Sequence, residues 1–341
     1  VNLTEFAKTL GLSVSTVSRA LNGYTDVKEE TRREIVAAAE RLGYAPDRSA
    51  RSLRKGSSGL VAFVLSYPQR QFASPFFLDM IVGVEERLRE TDLQLVVTST
   101  PSLESELDCF KRLVERQRVD GLIFARTRKA DERIDYLQGR DVPFVTHGRS
   151  ESGKPFAYLD IDHEVVGREG CARFIALGHE RIALLNTPSY LMYSHHRRAG
   201  YEAALRDAGI KRDKALIIEE DITEEGGASG ARKLLALSNP PTAILCGNDL
   251  VAMGAMRAIG EAGKRVGHDI GVIGSDDNPF GQHMVVPLTT FTTSRVAAGR
   301  RLAELLLQAI KRQPASELQE LWKPELVVRA SDGPPRGGKG R

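Results

Sequence analysis

At 341 residues and 41% hydrophobic content the chain has length for two or three folded units and enough apolar side chains to bury their cores, as expected of a soluble globular protein. It has no apolar run of 18 residues to span a membrane, no secretory signal pattern in its first thirty residues, and three cysteines (Cys109, Cys171, Cys246) spaced for neither a zinc site nor a disulfide framework; it reads as cytoplasmic, with buried thiols. The net charge of +3 is unevenly spread: residues 1–60 hold 10 Lys/Arg against 7 Asp/Glu, and the remainder holds 38 of each, so the whole excess lies where a small module could dock on phosphates.

Leu3, Phe6, Ala7 and Leu10 form one apolar stripe of a short helix, and Gly11 follows as its left-handed cap. Ser13 suits the N-cap of a second helix, which turns Val14, Val17 and Leu21 inward and Ser15, Thr16 and Arg19 outward. Ile35, Ala38, Ala39 and Leu42 give a third stripe that closes a small core. Two short helices joined by a turn containing glycine, the second with a polar outer face, describe either a helix-turn-helix for the major groove or an ordinary three-helix bundle. In the first case Arg19 could hold guanine O6 and N7 with two hydrogen bonds, and the hydroxyls of Ser13, Ser15, Thr16 and Ser18 suit contacts at close approach.

The run Asn2-Leu-Thr-Glu-Phe-Ala-Lys-Thr-Leu-Gly-Leu-Ser-Val-Ser-Thr-Val-Ser-Arg-Ala-Leu-Asn22, followed by Val27, Thr31-Arg32, Leu42-Gly43-Tyr44 and Pro46, closely resembles the headpiece of the lac repressor (LacI/GalR) family, collinearly over about sixty residues. The resemblance implies base reading by Val14, Ser15 and Arg19, and phosphate contacts from Thr4, Ser13, Thr16, Ser18, Asn22 and Tyr44. Val14 falls on the apolar stripe of the helical wheel, so its base contact rests on the resemblance alone. Lys28 departs from the family pattern where a serine often caps the third helix, and Asp47 departs where asparagine is common; an acidic side chain there is left out of the DNA contacts.

Residues 47–58 are basic, rich in serine and too short for a stable helix alone. By themselves they read as a linker. The resemblance implies a hinge helix formed on DNA, with Leu53 wedged between base pairs from the minor groove and Arg48, Arg51 and Arg54 along the backbone.

From Leu60 onward, short apolar runs alternate with amphipathic stretches, the pattern of parallel strands with crossover helices. Strands are expected at 60–65, 93–98, 121–125, 144–146, 182–185, 216–218, 243–246 and 270–273, with a late return near 288–295, a helix over 302–310 and a last strand at 324–328. Eight strands divide most economically into two doubly wound lobes. The resemblance extends here, more loosely, to the family's periplasmic-binding-protein-like core through Ser74-Pro-Phe-Phe77, Asp120-Gly-Leu-Ile123, Ala176-Leu-Gly-His179, Arg197-Arg-Ala-Gly-Tyr201, Cys246-Gly-Asn-Asp249, Gly274-Ser-Asp-Asp277 and Pro324-Glu-Leu-Val-Val-Arg329. The resulting division is a small all-α headpiece (1–46), a hinge (47–58), a first α/β lobe (59–160 with 291–322), a second (161–290 with 323–330) and a disordered tail (331–341).

Ligands of two-lobed folds bind where the carboxyl ends of the strands face each other. The candidates there are Phe76 and Phe77, as flat faces or as core; Arg126 and Arg149, with Arg128 and His147, as a solvated rim or as inward cations; Asp162, as a ligand contact or a helix cap; and Arg197, Asn248 and Asp276, able to clamp neighbouring hydroxyls. Ile222 stands where a purine-binding relative would place a stacking aromatic. Together these favour a sugar or sugar phosphate over a nucleobase. The dinucleotide, phosphate-loop, zincin and nucleophile-elbow motifs are all missing, and adjacent His195 and His196 point apart, so the chain reads as neither an enzyme nor a metal protein, with no cofactor.

The expected protein is therefore a regulator, most simply a repressor, that works at the bacterial nucleoid. It would bind double-stranded operator DNA as a homodimer, with pairing into tetramers left open, under control of a small sugar-like effector. Two rivals share parts of this reading: a solute-binding protein feeding a transporter, and an architectural DNA protein in which Arg197 and Asp276 form only an interlobe salt bridge.

Overall fold

The computed structural model describes residues 2–21, 24–44, 57–66, 75–100, 102, 105–151 and 154–335. The positions Asn22, Arg48, Arg51, Leu53 and Arg54 lie outside the described residues.

Among the described residues three helices make the N-terminal unit: α1 (Leu3–Thr9), α2 (Val14–Leu21) and α3 (Glu29–Arg41). Asn2 and Glu5 close a capping box on α1, and Ser13 Oγ accepts from the Thr16 amide at the start of α2. Phe6, Ala7, Val17, Ala20, Ile35, Ala38 and Ala39 form the core, and Tyr44 lies over Phe6 with ring centroids 4.3 Å apart. Two expectations fail here. Leu42 is 46% exposed, because α3 ends at Arg41 and the chain turns through Gly43 (φ +61) to bury Tyr44 in its stead. Val14 is 38% exposed: it shares an arc with Val17 and Leu21 but stands in the first turn, where the neighbouring helices no longer cover the face.

The first lobe is a six-stranded, all-parallel sheet. Its strands are β1 (Leu60–Ser66), β2 (Gln94–Thr100), β3 (Gly121–Ala125), β4 (Phe144–His147), β5 (Ala157–Ile161) and β11 (Gln319–Trp322), in the order β11-β5-β4-β3-β1-β2. Alternate β1 residues go to opposite faces. Val61, Phe63 and Leu65 pack under α4 (Pro75–Leu88) and α11 (Arg295–Ile310), while Ala62 and Val64 meet α5 (Glu106–Lys111) and α6 (Glu132–Gly139). A strand covered on both sides must be apolar throughout. Helices α4 and α11 touch backbone to backbone: a Cβ on Gly83 would stand 2.0 Å from the Val296 carbonyl oxygen, and one on Gly299 would stand 1.9 Å from that of Met80.

The second lobe repeats the plan with β6 (Ile182–Asn186), β7 (Ile217–Glu219), β8 (Ala243–Cys246) and β9 (Gly271–Ile273), ordered β7-β6-β8-β9 and all parallel. Helices α7 (His163–Ala176) and α8 (Met192–Asp207) cover one face, and α9 (Glu224–Leu235) and α10 (Asp249–Glu261) the other. An antiparallel pair, β10 (Thr290–Thr292) with β12 (Glu325–Val327), adjoins β9 through a bridge from Ile273 to Thr289.

The chain passes between the sheets three times: from β5 into α7, from β10 into α11, and from β11 into β12. The Asp162 amide donates to the Trp322 carbonyl at 2.9 Å and ties two of the crossovers together. Away from them the lobes also meet directly, where the Met192 amide donates to the Thr127 carbonyl at 2.8 Å.

Several expectations need correction. Strands β5 and β11 were not anticipated, and α11 begins at Arg295 instead of near 302. The expected tail starts too early. Ser331 and Asp332 are buried: Ser331 Oγ donates to the Val272 carbonyl and accepts from the Thr289 amide, and Asp332 accepts from Thr289 Oγ1 and Arg173 Nε. All three cysteines are buried free thiols. Among the described residues no helix is long and apolar enough to cross a membrane.

Candidate DNA-reading face and effector cleft

On the outer face of α2, Ser15 and Arg19 are exposed and Thr16 is half-buried. The Arg19 guanidinium is paired with Asp26 and lies 5.6 Å from the centre of the Tyr24 ring, and its side chain remains exposed. The hydroxyls of Ser13, Ser15 and Thr16 bond to one another at 2.8–2.9 Å, a patch of small donors at the start of the helix. Thr4 on α1 is exposed as well. Ser18 and Tyr44 are the exceptions among the described DNA-contact candidates: both are buried, Tyr44 against Phe6. Lys28 precedes α3 without a side-chain cap, as its departure from serine implies.

Between the lobes lies a cleft of about 700 Å³, part of it open to solvent. Helix α4 contributes Phe76 and Phe77, the ends of β3, β4 and β5 contribute Arg126, His147 and Asp160, and the second lobe contributes His163, Tyr193, Arg197, Ile222, Asn248 and Asp276. Every strand whose end reaches the cleft presents its carboxyl end, as parallel sheets dictate.

The polar groups are arranged around Arg197, which is 1% exposed. Its Nη1 donates to Asn186 Oδ1 and its Nη2 to His163 Nδ1, each at 3.1 Å, and the guanidinium lies 5.4 Å from the Tyr193 ring centre. Nε is buried without a partner. Burial pulls the Arg197 pKa down, opposed in part by Tyr193 and Asp276. Burial and the neighbouring cation hold His163 well below its usual value, so its Nδ1 is a free lone pair that accepts from Arg197. Burial alone lowers His147 to about 4, and its Nε2 also lacks a partner.

Asp276 is turned toward the cleft by a backbone with φ +117, followed by Asp277 at φ +49, a conformation that costs non-glycine residues about 1–3 kcal/mol each. Burial raises its carboxyl pKa, and buried Asp249 adds to the rise, against Arg197, Arg295 and Arg126. Asn248 caps α10 by accepting from the Val251 amide at 2.9 Å, which fixes the side chain at the cleft wall. Phe76 and Phe77 meet edge to face with centroids 5.2 Å apart, and Arg126 lies 5.9 Å from the Phe77 centre. The aromatic pair is thus both lining and core, since it packs against β1 as well.

Three candidates, Arg149, Asp162 and Arg128, do not line the cleft wall. Arg149 Nε donates to Asp160 Oδ2 at 2.6 Å, and burial still pushes the Asp160 carboxyl up to about 6. Asp162 spends its Oδ1 on the Glu164 and Val165 amides as the cap of α7. Arg128 turns away to Glu106. In the other direction, His147 is a wall residue and no mere rim, and Asp160, His163 and Tyr193 were missed. Tyr193 stands four residues before Arg197 on one helix, a spacing that shares a face and could have found it.

Two family models match the chain: "Bacterial regulatory proteins, lacI family" over residues 2–47 and "Periplasmic binding protein-like domain" over residues 171–331. The HTH-type transcriptional regulator AglR of Rhizobium meliloti is 38% identical over 340 residues, covering 98% of this chain and 95% of its own. The chain belongs to the LacI family. RafR of Escherichia coli, another HTH-type transcriptional regulator, is 33% identical and covers 95% of this chain and 96% of its own. Among solved structures, the lac repressor dimer bound to operator and the anti-inducer ONPF superimposes with TM-score 0.83 at 29% identity, covering 97% and 98% of the two chains. The CelR–cellobiose complex does so with TM-score 0.75 at 30% identity, covering 97% and 99%. This LacI-family chain is a DNA-binding transcriptional regulator, with the two-lobed α/β architecture and helix-turn-helix that its sequence implied.

Proposed function

We propose that this LacI-family regulator is a repressor that binds a palindromic operator as a homodimer and is released from it, or recruited to it, by a sugar-like molecule in the interlobe cleft. The observation that carries the effector reading is the cleft itself. Arg197, Asn248 and Asp276 offer hydroxyl-clamping groups on one wall, and Phe76, Phe77 and Tyr193 offer flat faces against which a sugar ring can lie. Ile222 in place of a stacking aromatic weighs against a purine. Cellobiose in a structural neighbour supports the same class. Arg126 leaves room for an anionic substituent on the sugar; Arg149 holds Asp160 through Nε and keeps a buried Nη2 without a partner, whereas Asp162 caps α7.

At the other end, Val14, Ser15 and Arg19 read bases, while Thr4, Ser13 and Thr16 hold phosphates. The exposure of Val14 removes the objection to its base contact. Ser18 and Tyr44 support the helix from within. The segment 1–46 is the DNA-binding unit, 59–161 with 295–322 the first effector lobe, and 162–292 with 323–335 the second. Ser57 Oγ and the Ser58 and Gly59 amides all donate to the Asp120 carboxylate at 2.7–2.8 Å, which fixes residues 57–59 to the first lobe.

Leu53→Ala is expected to weaken operator binding about tenfold or more while nonspecific DNA binding changes by less than about twofold, if Leu53 wedges between base pairs. Filter binding at matched salt measures both, and equal losses would remove the wedge from the account. The effector is tested by a thermal-shift screen of the full chain against disaccharides, sugar phosphates and purines. A disaccharide or sugar phosphate should give the largest rise in Tm; a purine giving it would overturn the assignment.

A further inference from the structure

One side chain beside the second crossover reaches into both lobes. Arg295 opens α11 in the first lobe, and its Nη1 donates to the carbonyl oxygens of Asp276 and Asp277 in the second. Its Nε donates to Asp79 Oδ2 at 2.8 Å. Asp79 lies on α4, two residues after Phe77, and α4 is locked to α11 by the Gly83 and Gly299 backbone contacts. Arg295 thus holds, through one guanidinium, the strained turn that aims Asp276 and the helix that carries Phe76 and Phe77.

We propose that Arg295 is a positioning residue for the effector response: it fixes the Asp276 turn and passes a change in that turn to α4 through Asp79. An ordinary surface ion pair would be solvated and weakly coupled to anything else. Asp79 is 39% exposed, but the Arg295 side chain is only 12% exposed, and the carbonyls it holds belong to residues whose positive φ leaves them few other stable arrangements. A ligand hydroxyl pulling on the Asp276 carboxylate must move or stiffen those carbonyls, and a two-ended link transmits either change across the crossover. This inference rests on the reading of the cleft as a sugar site.

The test uses full-length Asp79→Asn and Arg295→Gln beside the wild type. The probe is whichever of cellobiose, maltose, sucrose and raffinose raises the wild-type Tm most. Two quantities are read: the sugar Kd, and the ratio of operator Kd with and without saturating sugar. Asp79→Asn leaves the carbonyl clamp in place, so it should bind the sugar within about threefold of wild type while its ratio falls about fivefold or more toward unity. Arg295→Gln should lose the ratio and also bind the sugar more weakly, because the Asp276 turn is released. Wild-type ratios in a folded Asp79→Asn protein overturn the proposal, and so does a loss of ratio explained entirely by lost sugar binding. A wild-type chain that responds to none of the four sugars overturns the underlying assignment instead.

Discussion

Arg197→Met should raise the dissociation constant of a bound disaccharide about a hundredfold or more, while the ligand-free protein stays as stable as the wild type or becomes more so. The two halves of this expectation have one cause. The Arg197 guanidinium is buried, its hydrogen bonds go to the neutral acceptors Asn186 and His163, and its Nε has no partner. A cation out of water with no carboxylate hydrogen-bonded to it is costly, as its lowered pKa reflects. That cost is borne by the empty cleft and relieved when ligand hydroxyls arrive, at roughly 1.5–3 kcal/mol for each charge-assisted bond. Methionine keeps the length and removes the charge, so it loses the bonds and the cost together. Isothermal titration and differential scanning calorimetry on the same preparation measure both halves. Sugar affinity within about fivefold of wild type would show that Arg197 serves the fold alone.

Arg133→Met should behave in the opposite way, destabilising the first lobe by about 3–5 kcal/mol. Arg133 is fully buried with Asp131 and Glu106, which it holds through Nε, Nη1 and Nη2 at 2.6–2.8 Å, and Nη2 also donates to the Arg126 carbonyl at the cleft. Burial keeps Glu106 above its usual pKa even beside Arg133 and Arg128, whereas Asp131 is drawn below its own: burial opposes that shift, and the bonds to Arg133 overcome it. In the wild type, Asp131 contributes stability above its unfolded pKa and loses it as pH falls through the lower folded value. In the variant both carboxylates are buried without their main counterion, so their folded pKa values lie above the unfolded ones. Protonation then favours the folded state, and the deficit should shrink between about pH 7 and pH 5. Urea unfolding at the two pH values checks the size and the sign. A deficit under about 1 kcal/mol at neutral pH would mean that the lobe relaxes around the loss.

The parts of the fold legible in the sequence are those with the simplest burial. β1, β3 and β8 are covered on both faces and read as unbroken apolar runs, and β3 and β8 match their expected limits residue for residue. β5 carries Asp160 and Tyr158 in a short run, and β11 alternates exposed and half-buried residues at the sheet edge, so neither stands out from a loop. The first two turns of α11 are rich in arginine, glycine and alanine. Their apolar partner is the α4 backbone at Gly83 and Met80, which only the folded chain supplies.

The cleft follows the same logic. Phe76, Phe77, Arg126, Arg197, Asn248 and Asp276 were visible as chemistry placed at strand ends or on a motif, and all six line the wall. Arg149 and Asp162 have the right chemistry, but their hydrogen bonds go to Asp160 and to α7, partners that no local pattern announces. His163 enters the wall because it is the first residue after a crossover, and Asp276 is aimed by a backbone conformation that residue type does not foretell.

In the proposed function one chain couples the cleft to the α2 face. The most direct test of that coupling is the affinity of the full-length protein for a fluorescent palindromic operator, selected from its own genomic DNA, as the best-stabilising disaccharide is titrated in. The operator Kd should change about tenfold or more, saturating at the sugar concentration that saturates the thermal shift, and Arg197→Met should bind the same operator without responding. An operator affinity that stays constant while the sugar demonstrably fills the cleft would contradict the coupling.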